Sequence, residues 1–282
     1  MKIIDAHVHI YPPEFERDRD KIAESEPWFA ELTSSKVHKW GTAKELIAEM
    51  DKNGIDSAFA TSFAFCDIGL CRTANDYVLD AAKRWPGRIH PLAVVPLRRG
   101  MEEEIARCAD AGAAGIGELF PDGQGFDITS ESETWRLVQA CRERDLFIMF
   151  HTAEQTGHDY AGKGSIGARE AAAFCLNHPE LKTIFAHFGG GLWASEPMPE
   201  MELTLKDAYY DTAAWPWLYS ACVLDAACAA GAEDKILFGS DWPILSFPRY
   251  EKLFAETKLS EEQKEKILFK NAEKFLRSCG KI

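Results

Sequence analysis

Short apolar runs alternate along this chain with stretches in which apolar residues recur every three or four positions. The runs fall at 3–10, 57–63, 89–95, 114–120, 147–152, 183–188, 208–212 and 236–239. Each is β-rich or continuously apolar, as strands buried on both faces are. Helical spacing occupies 42–53, 73–85, 101–111, 131–144, 166–177, 216–230 and 248–257. Strand and helix signals taking turns predict a parallel sheet with helical crossovers.

Local signals place the boundaries. Thr42-Ala-Lys-Glu45 reads as a capping box, Gly54 closes the same helix, and Gly112 closes the helix that contains Ile105 and Cys108. Ser260-Glu-Glu-Gln263 opens a further helix to about residue 277, whose Leu268, Ala272 and Phe275 form a packing stripe; it is expected outside the sheet as an extra element. Eight strands in 282 residues fit one α/β unit, a (β/α)8 TIM barrel with an extra C-terminal helix and a long loop after strand 1. No internal repeat or low-complexity linker divides the chain, so residues 1–282 are read as a single domain. The connections at 11–41, with Trp28 and Trp40, and at 153–165 are longer than a barrel requires. Barrel enzymes put substrate contacts and lids in such segments.

Composition narrows the partners. With 46% hydrophobic residues the chain can bury a full core, and its net charge of −13 argues against nucleic acid and anionic membrane. It has no apolar run of membrane-spanning length, and Met1 leads straight into a strand, so a cytoplasmic protein with a small-molecule substrate is expected. Subunit number is not legible, and a homo-oligomer stays open. The eight cysteines show no C-x-x-C spacing, and Cys108, Cys141 and Cys175 sit in helical apolar stripes, which reads as buried reduced thiols.

The chemistry collects where apolar runs end. Asp5-Ala6-His7-Val8-His9, Phe150-His151, Ala186-His187 and Gly239-Ser240-Asp241 each finish on a metal-ligand residue type. His7 and His9, two apart on a strand, share a face, so both imidazoles can converge on one cation. Three or four such ligands and an open position would lower the pKa of bound water toward 7. Glu118 ends the Gly115-Ile-Gly-Glu118-Leu run in the same manner.

These residues resemble the amidohydrolase superfamily of metal-dependent barrels. The match spans residues 5 to 243, and Ile4-Asp5-Ala6-His7-Val8-His9, His187-Phe-Gly-Gly-Gly191-Leu and Phe238-Gly-Ser-Asp241-Trp-Pro243 look most like its amidohydrolase 2 branch. The resemblance implies that His7, His9 and Asp241 hold a divalent metal with His151, Zn²⁺ being the first expectation, as one or two ions. Asp241 would also shuttle a proton. His187 would either orient and polarise substrate or bind a second ion, and Glu118 stands where two-metal members carry a bridging carboxylate or a modified lysine. The branch contains both hydrolases and nonoxidative decarboxylases of aromatic or unsaturated acids. The leading expectation is a hydrolase that uses metal-activated water on a small ester, lactone or amide-like substrate; the alternative is a decarboxylase.

Substrate contacts are expected from the turns beside the ligands: Glu154, His158, Tyr160 and Lys163 after strand five, with Trp193 and Trp242 after other ligand-bearing strands. Arg72 and Lys163 are the candidates for gripping a substrate carboxylate. Gly189-Gly-Gly191 lacks both the P-loop ending and the dinucleotide spacing, so a tight turn or close backbone approach explains it better.

Overall fold

The structure, a computed structural model, describes residues 2–282. Eight parallel strands lie in sequence order: β1 (Ile4–His9), β2 (Ser57–Thr61), β3 (Ile89–Ala93), β4 (Gly115–Leu119), β5 (Phe147–Phe150), β6 (Thr183–Phe185), β7 (Ala208–Asp211) and β8 (Ile236–Leu237). The seam between β8 and β1 is closed by Ala6 N donating to Phe238 O and His9 N to Trp242 O, at 2.6 and 2.7 Å. This is the (β/α)8 TIM barrel that the alternation predicts. Every strand begins within one residue of its apolar run, but most stop earlier, because the ligand-bearing residues leave the ladder to turn into the mouth.

Helices α1 (Ala43–Asn53), α2 (Ile68–Arg84), α3 (Met101–Asp110), α4 (Glu131–Arg142), α5 (Ala168–Asn177), α6 (Cys222–Ala229) and α7 (Phe247–Glu256) pack around the sheet. Thr42 and Glu45 form the expected capping box on α1, and Gly54 ends that helix at φ +67°, a conformation that glycine adopts without strain. The α2 helix starts earlier than its apolar spacing suggests, because the Asp67 side chain caps it by accepting from Leu70 N. No long helix returns from β6 to β7; short 3₁₀ turns at Leu192–Ser195 and Pro199–Met201 do so. The span 216–230 is two helices, Trp215–Leu218 and α6. The loop after β1 folds into three short helices, Pro13–Arg17, Arg19–Ala23 and Pro27–Ser34.

The segment after Ser260 departs from expectation in its location. It forms a turn of helix, a wide i→i+5 turn over Lys266–Lys270 and then α8 (Asn271–Ser278). Rather than lying outside, α8 stoppers the amino-terminal end of the barrel. Its Phe275 ring lies 4.8 Å from Phe147 and 4.6 Å from Tyr209, in one buried cluster with Ile4, Phe59 and Leu92. An apolar stripe looks the same from sequence whether it faces a helix layer or a barrel floor. With this floor sealed, access to the interior is from the carboxyl-terminal mouth.

Candidate metal centre

Six side chains from five strand ends converge at that mouth. His7 and His9 come from β1, Glu118 from β4, and His151, His187 and Asp241 follow β5, β6 and β8. His7 Nε2 and His9 Nε2 approach to 3.0 Å, with Asp241 Oδ1 at 3.9 and 3.4 Å from them. Glu118 lies at the centre. Its Oε2 is 3.5 Å from both of those nitrogens, while its Oε1 is 3.0 Å from His151 Nδ1 and 3.4 Å from His187 Nε2. Donors bound at about 2.1 Å to one ion are separated by about 3.0 to 3.4 Å in octahedral or tetrahedral arrangements. Two triads, His7/His9/Asp241 and Glu118/His151/His187, meet that requirement closely enough to fit a cation each.

The outer nitrogens orient the inner ones. His7 Nδ1 donates to Asp211 Oδ2 at 2.8 Å, His151 Nε2 to the Lys163 carbonyl at 3.1 Å and His187 Nδ1 to the Ala213 carbonyl at 3.1 Å. A neutral imidazole that donates on one nitrogen has a lone pair on the other, so three of the four rings present a ligand nitrogen inward. The set contains nitrogen and oxygen donors and no thiolate, which suits a divalent ion of intermediate softness.

Charge balance within the cluster's own side chains runs through protons. Burial disfavours charge on His7 and on Glu118, yet their mutual attraction, with Asp211 on one side and His151 on the other, holds His7 well above and Glu118 well below their ordinary ranges. His187 is lifted to about 9 against its burial by Glu118 and Asp241, and Asp241 falls to about 2 against its burial under the pull of His9, His7 and His187. A divalent cation held by His7, His9 and Asp241 would supply counter-charge to Asp241 and Glu118 in place of the proton on His7. Backbone geometry adds strain: His187 and Asp241 have φ of 55° and 59°, in the left-handed region that non-glycine residues seldom occupy. Asp211 supports the first of these turns by accepting from His187 N at 2.9 Å. Thr61, at the end of β2, holds Glu118 through its hydroxyl, which bonds Glu118 N at 3.0 Å and the Gly117 carbonyl.

Above the cluster opens a cavity of about 380 Å³, the size of a small organic ligand. Its wall is aromatic, built from Tyr11, Trp28, Phe29, Phe63, Phe65 and Phe120. The first three come from the long loop after β1. Tyr11 stacks on Phe63 at 4.5 Å, and Phe120 meets Trp28 and His151 edge-on at 4.7 and 4.8 Å, joining wall to ligand set.

A family model described as amidohydrolase matches residues 4–278. The chain belongs to the amidohydrolase family. Among the relatives of this amidohydrolase is the gamma-resorcylate decarboxylase of Rhizobium radiobacter, 24% identical over 76% of the chain and 78% of that protein. The 5-carboxyvanillate decarboxylase of Sphingomonas paucimobilis superposes with a TM-score of 0.74 at 15% identity, covering 98% of this chain and 99% of the other. A dihydroxybenzoic acid decarboxylase of Polaromonas sp. JS666, solved with manganese and the inhibitor 2-nitroresorcinol, gives 0.71 at 18% identity over 98% of this chain and 97% of its own.

The substrate contacts expected of this amidohydrolase divide. His158 and Tyr160 line the cavity; Glu154, Lys163, Arg72, Trp193 and Trp242 do not. Arg72 projects from α2 onto Glu104, 3.2 Å away. Lys163 Nζ donates to the carbonyls of Thr156 and His158, and its own carbonyl is what holds His151. Glu154 lies beside Tyr219 with its Oε1 buried and unpartnered, Trp193 packs on the helix-facing core, and the Trp242 ring covers Gly41, where a Cβ would come within 2.6 Å of it. Gly190 is a close-approach glycine, since a Cβ there would meet the Ala153 carbonyl at 2.8 Å. Asp211, Tyr11, Phe29, Phe63 and Phe65 are absent from the sequence reading, whereas Trp28 lies in the long loop that it singles out for substrate contacts. The rule that found the histidines, a ligand residue type ending an apolar run, also picks out Tyr209-Tyr210-Asp211.

Proposed function

We propose that this chain is a metal-dependent nonoxidative decarboxylase acting on an aromatic carboxylic acid, rather than the ester, lactone or amide hydrolase that its sequence first suggests. The observation that carries the reading is a histidine–carboxylate cluster at the base of a ring-sized aromatic cavity. The decarboxylase names of relatives matched over three quarters of the chain support it.

His7, His9, His151 and Asp241 would hold a divalent cation, with Glu118 at its edge. When bound, the cation supplies a positive field that anchors substrate oxygens and stabilises charge developing on the ring. The aromatic wall stacks on the ring and excludes water from it. Asp211 fixes the His7 ring, and Ala213 fixes His187 with Nε2 inward. His187, protonated beside Glu118, delivers its proton to the ring carbon that bears the carboxylate. The carbon–carbon bond then breaks, its electrons remain with the ring, and CO₂ departs. Asp241 stays ionised. Zinc and manganese both accept this donor set; manganese accompanies two structural neighbours. The second triad, Glu118/His151/His187, favours a different reading if it too fills, because a pair of bridged ions suits hydrolysis.

The test loads the protein with Mn²⁺ or Zn²⁺ and offers 2,6-dihydroxybenzoate. CO₂ and resorcinol should appear in equal amounts, stop on chelation, return on metal addition, and be absent in His9→Ala. Hydrolysis of simple aryl esters or lactones without CO₂ from any aromatic acid would establish the hydrolase instead.

A further inference from the structure

The cavity above the ligand cluster has an uneven charge inventory. Glu118 and Asp241 already match the two charges of one divalent ion, so the reacting carboxylate of a substrate is the third anion at that end. A further carboxylate side chain, Glu26, is buried in the lining, fixed by accepting from the main-chain N–H of Cys66 and Asp67 at 3.0 and 2.8 Å. No lysine or arginine lines the cavity among the described residues.

The cations on neighbouring segments are engaged elsewhere. Arg19 is held by Thr33, the Ala30 carbonyl and Asp20, Lys39 reaches the Ile244 carbonyl, and Lys163 is tied to its own loop. The lining contributes neutral polar atoms instead. His38 stacks near Phe63 with its Nε2 buried and unpartnered, and Ser62 Oγ is likewise buried without a partner. Burial pushes the His38 imidazole down to about 4, so it does not act as a cation at neutral pH. A second anion entering this wall would leave water with no counter-charge to meet it.

Resting on the decarboxylase reading of the same site, we propose that the cavity selects aromatic acids with one carboxylate and rejects benzene dicarboxylates, because the wall facing the ligand cluster offers ring faces and neutral polar groups and no cation. The rest of the substrate is then uncharged, with room for hydroxyl or ether substituents.

Three probes separate charge from size: 2-hydroxybenzoate, 4-hydroxybenzene-1,3-dicarboxylate, and the dicarboxylate's monomethyl ester at the carboxyl para to the hydroxyl. Each is titrated calorimetrically into metal-loaded protein, so that binding, not turnover, is read. The ester should bind within about threefold of 2-hydroxybenzoate, and the dicarboxylate at least about tenfold more weakly than the ester. A smaller gap between dicarboxylate and ester overturns the proposal, and so does failure of all three to bind at millimolar concentration. CO₂ release is assayed separately. If the discrimination holds while no aromatic acid loses CO₂, the selectivity stands and the decarboxylase reading falls; CO₂ release without the discrimination has the opposite meaning.

Discussion

Asp211 has no atom that faces the prospective ion, yet three donors depend on it: His7 Nδ1, His187 N and Ala213 N, at 2.8, 2.9 and 3.0 Å. Asp211→Asn replaces one acceptor oxygen by a donor and misorients His7. Metal affinity should fall by about 10- to 100-fold, as read by titration of the metal-free protein; wild-type affinity in the variant would remove Asp211 from the site. The histidines and Asp241 were legible from sequence because each breaks an apolar run with a ligand residue type. Asp211 breaks one too, but it lacks the Gly-Ser-Asp-Trp-Pro surroundings through which Asp241 carries the family resemblance. Arg72 and Lys163 show the converse failure. Sequence gives their charge, and only the fold reveals that Arg72 belongs to Glu104 and Lys163 to its own loop.

At the scale of elements, Glu104 joins two helices. Fully buried on α3, it accepts from Arg107 on its own helix and from Asn75 and Arg72 on α2, while Asn75 also pairs with both main-chain groups of Val94. Burial raises the carboxyl, but Arg107, Asn75 and Cys108 outweigh it and the pKa is lowered. Since the folded pKa lies below the unfolded one, this stabilisation is fully present above the ordinary glutamate range and fades as pH falls through the folded value. Glu104→Gln should cost about 1.5 to 3 kcal/mol at neutral pH, and the gap to wild type in urea unfolding should narrow toward pH 3 to 4, roughly the region below the ordinary glutamate pKa. Phe275→Ala, which empties the barrel floor, should cost about 3 to 5 kcal/mol in the same assay. Strand and helix alternation survived translation into structure because burial on both faces leaves a continuous apolar signature. The helices in the loop after β1 did not, since one or two turns are too short to show a period. The location of α8 was hidden because an amphipathic stripe records that a face is covered, not by what.

For the molecule as a whole, the cluster couples strand ends that are far apart in sequence, from His7 to Asp241. A cation bound to all of them favours the folded chain over the unfolded one, adding about 2.7 kcal/mol when its free concentration is a hundredfold above its dissociation constant. Metal-loaded protein should therefore melt higher than chelated protein, by an amount that grows with metal concentration. Equal melting under both conditions would mean that no such ion joins these strands. The net charge of −13 leads to a further expectation: mobility of duplex DNA in a gel should be unchanged by the protein even at low salt, where electrostatic association is strongest.

The stopper helix α8 follows all eight strands in the sequence. Vectorial synthesis on the ribosome thus exposes the greasy underside formed by Phe59, Phe147 and Tyr209 before its cover emerges from the exit tunnel. Nascent chains arrested ahead of Asn271 are natural chaperone clients, and a reporter fused there will read solubility of an unlidded cylinder rather than of the finished enzyme.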